Sequence, residues 1–174
     1  NSKEESGGAG GERVGADAFE EANINPEIYT TLEKVKKVME IIKPLAIAIG
    51  VALLAWKVAS FLSGLGATAA VASTIFSIIL AIGGMVMAVG SYFNMWQDDV
   101  DWEGIIGYVA GLALAITGLH TLFGPTAAGI AMIVAGVAGF ALALKDMTEN
   151  GMNAQNMTLL LISTVGILAG VFMA

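Results

Sequence analysis

Cysteine is absent from the 174 residues and histidine occurs once, at His120. No disulfide framework, thiolate nucleophile or cysteine-ligated metal centre can be built from such a chain. Charge is scarce as well. Asp, Glu, Lys and Arg make up 13% of the residues, against about 25% in typical soluble domains. It is missing altogether between Lys57 and Asp98, from Gly104 to Leu144 and from Asn150 to Ala174. Helices in water need one wet face, and these tracts supply none. They must be solvated by something apolar in at least one state. The net charge of −7 leaves no basic footprint for nucleic acid. No nucleophile elbow, phosphate loop, paired catalytic carboxylates or HExxH motif occurs, so the chain reads as a non-enzyme with no cofactor and no metal.

What is present is apolar and small. Hydrophobic residues make up 56% and glycine occurs 22 times. Glycine inside a helix costs roughly 1 kcal/mol relative to alanine, yet it is common where helices approach closely in lipid. The reading is an all-α, membrane-type fold: an amphipathic N-terminal helix followed by about five apolar helices arranged as hairpins. Residues 1–24 are acidic and Gly-rich and are expected to be a disordered linker. Asn25-Pro26 starts a helix over 25–43, with Ile28, Leu32, Val35, Met39 and Ile42 on one face for a partner or an interface. Pro44 is expected to kink or end it. The hydrophobic region, 44–174, holds spans at about 45–62, 67–94, 104–119, 125–144 and 157–174. About 20 apolar residues cross a bilayer core. His120 to Gly124 reads as a turn, and Gly124-Pro125 marks the hairpin. The start at Asn and the end inside an apolar run are read as a segment of a longer chain.

A faint internal repeat pairs Gly83-Gly84 with Ala138-Gly139, Asp98 and Asp101 with Asn153 and Asn156, and Gly111 with Gly166. Small residues recur every fourth position: Ala69, Ser73, Ser77 and Ala81; Gly107, Gly111 and Ala115; Ala131, Ala135, Gly139 and Ala143; Gly166, Gly170 and Ala174. Four-residue spacing gives a face without bulk, against which another backbone packs. These are the candidate helix-packing residues.

Polar groups are few. Asp98, Asp99, Asp101 and Glu103 lack the glycine and distal glutamate of a calcium loop and read as a solvated turn with a capping Asp. Trp96 and Trp102 flank it, either as membrane-interface aromatics or as ordinary packing. His120 reads as an exposed residue at a hairpin tip. Lys57 lies where it can snorkel to an interface. With a cytoplasmic amino end, Lys34, Lys36, Lys37, Lys43 and Lys145 fall on one side, in keeping with the positive-inside tendency.

The stretch from Gly104 to Ala174, with Gly107-Tyr108-Val109-Ala110-Gly111 and Leu122-Phe123-Gly124-Pro125-Thr126, resembles the hydrophobic region of tailed-phage tail tape measure proteins; Val58 to Trp96 has the same texture. The resemblance implies several helical copies packed in a tail tube, then insertion into the host membrane to aid genome delivery. Implied partners are copies of itself, tail tube proteins and the lipid membrane, with phage DNA only passing through. The implied location is the tail lumen of the virion and then the host membrane. Two alternatives remain: an integral protein of the bacterial inner membrane, such as a small transporter or channel subunit, and a pore-forming toxin segment.

Overall fold

The computed structural model describes the backbone from Pro26 to Ala174 and side chains from Thr30 onward. The expected linker over 1–24 and the Asn25 cap lie outside the described residues. Those described form five helices: α1 (Pro26–Gly64), α2 (Ala69–Gln97), α3 (Trp102–Phe123), α4 (Pro125–Asn150) and α5 (Ala154–Met173). Each contains a window long and apolar enough to cross a membrane. The fold is all-α and of membrane type.

Helix ends follow local chemistry. Thr68 caps α2, its hydroxyl accepting from the Val71 N–H. Asp101 caps α3 by accepting from the Gly104 N–H at 2.7 Å. Asn153 and Asn156 form a reciprocal capping box on α5. Pro125 opens α4, where its missing N–H costs nothing. Gly124 (φ 90°) and Gly151 (φ 72°) supply the left-handed backbone that ends α3 and α4. At Pro44 one of the two expected outcomes falls away, and one boundary differs from expectation. Helix α1 runs through Pro44 without ending, so the amphipathic helix and the first span are one element. In α3 the helix continues through His120 to Phe123, leaving Gly124 alone as the break. Neighbouring helices make a proline or a one-residue turn tolerable in an apolar setting.

The chain divides at Glu40 into two compact units. In residues 30–40 every side chain is exposed. In residues 41–174, α2 packs along α3, α4 packs along α5, and α3 joins the two hairpins through α4. Pro44 and Ala55 of α1 are buried, and Val51 lies over Gly83 of α2. Size is distributed inside out. The buried positions are dominated by Ala, Gly and Ser, while Phe61, Phe123, Val134, Leu161 and Phe172 point outward. Lipid gives large apolar side chains no reason to turn inward, so helices associate through their smallest residues.

Candidate functional site

Each hairpin is sealed by backbone meeting backbone. A Cβ placed at Gly84 would lie 2.5 Å from the Gly111 carbonyl oxygen; one at Gly111 would lie 2.6 Å from the Ala88 nitrogen. A Cβ on Gly118 would lie 2.5 Å from the Ser77 carbonyl oxygen. In the second hairpin a Cβ on Gly129 would lie 2.7 Å from the Gly170 carbonyl oxygen, and one on Gly136 would lie 2.8 Å from the Ser163 carbonyl oxygen. No side chain larger than hydrogen fits these positions without parting the helices.

The contacts reveal the period. Along the four helix faces of the two seams, residues that are small, apart from Asn156, recur every seventh position: Ser77, Gly84 and Ser91; Gly104, Gly111 and Gly118; Gly129, Gly136 and Ala143; Asn156, Ser163 and Gly170. All but half-buried Ser91 are buried. A seven-residue repeat keeps a contact line facing its partner as two helices wind left-handed, whereas a four-residue stripe drifts off it. This explains how the expected packing residues divide. Ser77, Ala81, Gly107, Gly111, Ala115, Gly139, Ala143 and Gly170 are buried, and the first five join the α2–α3 seam. Ala69 and Ser73 are exposed, a Cβ on Gly166 would come no closer than 4.0 Å, to the Met132 carbonyl oxygen, and Ala131 and Ala135 are half-buried. Gly84, Gly118, Gly129, Gly136 and Ser163 escaped the four-residue search; seven-residue spacing finds them.

The same contacts correct the repeat. Gly84 sits against the Gly111 oxygen and Ala115 nitrogen, while Gly136 sits against the Ser163 oxygen and Ile167 nitrogen. Gly118 meets Ser77 and Ala81, as Gly170 meets Gly129 and Ile133. Every pair shares one offset, and the N-caps Asp101 and Asn153 share it too. The chain holds one hairpin twice, in a register that matches Gly84 with Gly136 rather than with Gly139, and Gly111 with Ser163 rather than with Gly166.

The hairpins are tied at one end by a polar joint. The Asp146 carboxylate, 3% exposed, accepts on one oxygen from the Val100 N–H (3.1 Å) and Asn150 Nδ2 (2.9 Å), and on the other from Asn156 Nδ2 (2.9 Å). Asn150 also donates to Asp99, and Asn156 to the Gly151 carbonyl. Thus α4, the α2–α3 loop and the start of α5 meet on one carboxylate. At the positions equivalent to Asp146 and Asn156 the first hairpin has Asn94 and Gly104 instead. The sequence signal for Asp146 is its place on the buried face of α4, seven positions after Gly139 and three after Ala143.

Further along, two tyrosines pin the first hairpin to α4. Tyr92 donates to the Ala138 carbonyl (3.0 Å) and Tyr108 to the Ala135 carbonyl (2.6 Å). Their rings lie 5.5 Å apart beside an apolar groove of about 430 Å³ that also involves Val89, Phe93, Leu112 and Val134. Tyr108→Phe is expected to weaken the joint by about 0.5–1.5 kcal/mol, the net value of one hydrogen bond. Thermal unfolding in detergent micelles, compared with Tyr92→Phe and the double variant, checks this; additive losses would show two independent pins.

Charge gathers at the polar end. Lys145 donates to the Trp96 carbonyl (3.0 Å), pairs with Glu149 (3.1 Å) and lies 5.0 Å from the Trp96 ring. Lys43, Asp98, Asp101 and Glu103 line one end of a cleft of about 810 Å³, whose remaining walls include Ile47, Val51 and Met87. Trp96 and Trp102 are both partly exposed here. From Lys43 onward, only Lys57 carries charge elsewhere; it is exposed, two turns before the end of α1. Exposed His120 sits in the last turn of α3. Hydroxyls within the helices need no water: Ser77, Thr117 and Thr164 each donate to the carbonyl four residues back.

Compared with protein families, characterised proteins and solved structures, the chain finds no match.

Proposed function

We propose that this chain is a structural, membrane-active segment of a tailed-phage tape measure protein, packed in the tail tube and inserted in the host membrane during genome delivery. The observation that carries the reading is the pair of hairpins closed by their own backbones, with large apolar side chains outside. Such a unit does not depend on one surrounding phase. Its helices satisfy their own backbone groups, so its outer surface can face sister copies in a tube or lipid after release. The charged end, with Trp96 and Trp102, supplies a wet boundary at which insertion would stop. The role is mechanical rather than catalytic.

A transporter or channel subunit fits less well. Such proteins carry polar or ionisable groups along a path through the membrane. Here the charges from Lys43 onward lie at one end apart from Lys57, and the buried hydroxyls of Ser77 and Ser163 line glycine seams.

Fractionation during infection tests the proposal. The parent gene product is expected in purified particles and, after adsorption, in the host membrane fraction. Recovery from uninfected cell membranes alone would reject the phage reading in favour of a resident membrane protein. Killing of cells by the isolated chain would favour the toxin reading.

A further inference from the structure

The cleft of about 810 Å³ is graded from wet to dry, and all its walls belong to the compact unit that begins at Ile41. Its mouth carries Lys43, Asp98, Asp101 and Glu103, within the stretch flanked by Trp96 and Trp102. Down α2 the lining passes from Asn94 and Ser91 to Gly90, Met87 and Gly83, a descent of roughly 16 Å at the rise of a helix. Ile47 and Val51 of α1 face that descent and complete an apolar wall. The charges at the mouth do not satisfy one another. Lys43 forms no ion pair with any of the three acids, and of those acids only Asp101 has a described side-chain partner, the Gly104 N–H that it caps. The middle of the cleft is open: a Cβ on Gly90 would meet nothing within 4 Å.

We propose that this cleft binds one membrane phospholipid with a primary-amine headgroup, such as phosphatidylethanolamine. The phosphate meets Lys43, the ammonium donates to Asp98 and Glu103, and one acyl chain runs down the apolar wall past Met87 and Val51. Three observations select that occupant. Opposite charges held apart at one mouth match a zwitterion. An anionic headgroup would leave the two acids facing no cation, and a choline headgroup has no N–H to donate to them. The polarity gradient then requires a molecule that is charged at one end and aliphatic at the other, since a free amine phosphate would leave the apolar wall uncovered. Finally, tryptophans mark the headgroup level of a bilayer, so a lipid there already lies with its head at the mouth and its chain along the descent. The site rests on the membrane-type fold and not on the tail reading.

The test uses the full chain in detergent micelles with three phospholipids of identical acyl chains, carrying an ethanolamine, a choline or a glycerol headgroup. Native mass spectrometry is expected to show one ethanolamine lipid retained about tenfold more tightly than either of the others. Asp98→Asn together with Glu103→Gln should abolish that preference, and Lys43→Gln should weaken retention of the ethanolamine lipid. Gly90→Leu puts a side chain into the open cleft and should reduce binding of all three. Lys57→Gln, outside the cleft, should change nothing. Helix content equal to that of the parent chain confirms the fold of each variant. A preference that survives both the acid double variant and Gly90→Leu overturns the site. A chain that needs detergent yet retains the three lipids equally overturns the site alone, whereas a chain that stays soluble without detergent overturns the membrane reading with it.

Discussion

A single methyl group at Gly111 is expected to open the first hairpin. The new Cβ would lie 2.6 Å from the Ala88 nitrogen, 2.7 Å from the Gly84 oxygen and 3.0 Å from the Ala88 Cα. All three are backbone atoms of α2 and none can swing aside. The helices must part, and the seam from Ser77 to Ser91 loosens with them. Overpacking of this kind costs about 1–3 kcal/mol and sometimes more. Alanine's better helix propensity returns up to about 1 kcal/mol, so Gly111→Ala is expected to lose about 2 kcal/mol and Gly111→Leu considerably more. Gly139→Ala meets the Ser163 hydroxyl, a side chain able to rotate, with the Ser163 Cβ at 3.4 Å. Its loss should stay below about 1 kcal/mol. At Gly90 nothing lies within 4 Å, and Gly90→Ala is expected to be neutral or to gain up to about 1 kcal/mol. Unfolding of the three variants in mixed detergent, followed by helix circular dichroism, gives the ranking. Equal losses at Gly111 and Gly90 would mean that the seams do not hold the hairpins.

The second large effect is expected at Asp146. Replacing it with alanine strands the Val100 N–H and one amide hydrogen bond of Asn156 inside the joint. Each buried donor left without an acceptor costs about 1–3 kcal/mol, so Asp146→Ala is expected to lose about 2–4 kcal/mol. Asp146→Asn keeps the shape and one acceptor oxygen and should lose roughly half as much. Asn150→Ala removes a donor from an exposed residue and should cost under about 1 kcal/mol. Amide hydrogen exchange separates this joint from the seams. The Val100 N–H should exchange faster in both Asp146 variants and keep its rate in Gly90→Ala. An unchanged Val100 rate in Asp146→Ala would show that the carboxylate does not hold the loop.

Several features were legible because they are local. Charge-free tracts marked the spans, and Pro125 and a capping Asp within the 98–103 stretch, which proves to be Asp101, marked helix starts through chemistry that needs only a few neighbouring residues. Of the two outcomes expected at Pro44, a kink or an end, the end does not occur: Pro44 is buried inside α1, with its Cβ 3.6 Å from the Cβ position of Gly107. The four-residue search caught Gly111 and Gly170 but missed Gly84 and Gly136, because the relevant period belongs to two helices winding together. The repeat slipped out of register for a similar reason. Aligning Gly84 with Gly139 matches composition, whereas matching Gly84 with Gly136 requires knowing which carbonyl each one touches.

By itself the sequence determined the solvent and the kind of element. A chain with no charge between Lys57 and Asp98 has no wet face there, and a backbone in apolar surroundings must close its own hydrogen bonds, so long helices follow. Tertiary structure decided which glycines become seams, that one hairpin occurs twice, and that Asp146 joins the two. Those outcomes depend on close approach between distant residues. In spans where nearly every residue is apolar, hydrophobicity cannot choose among faces, and only the fit of backbone against backbone does.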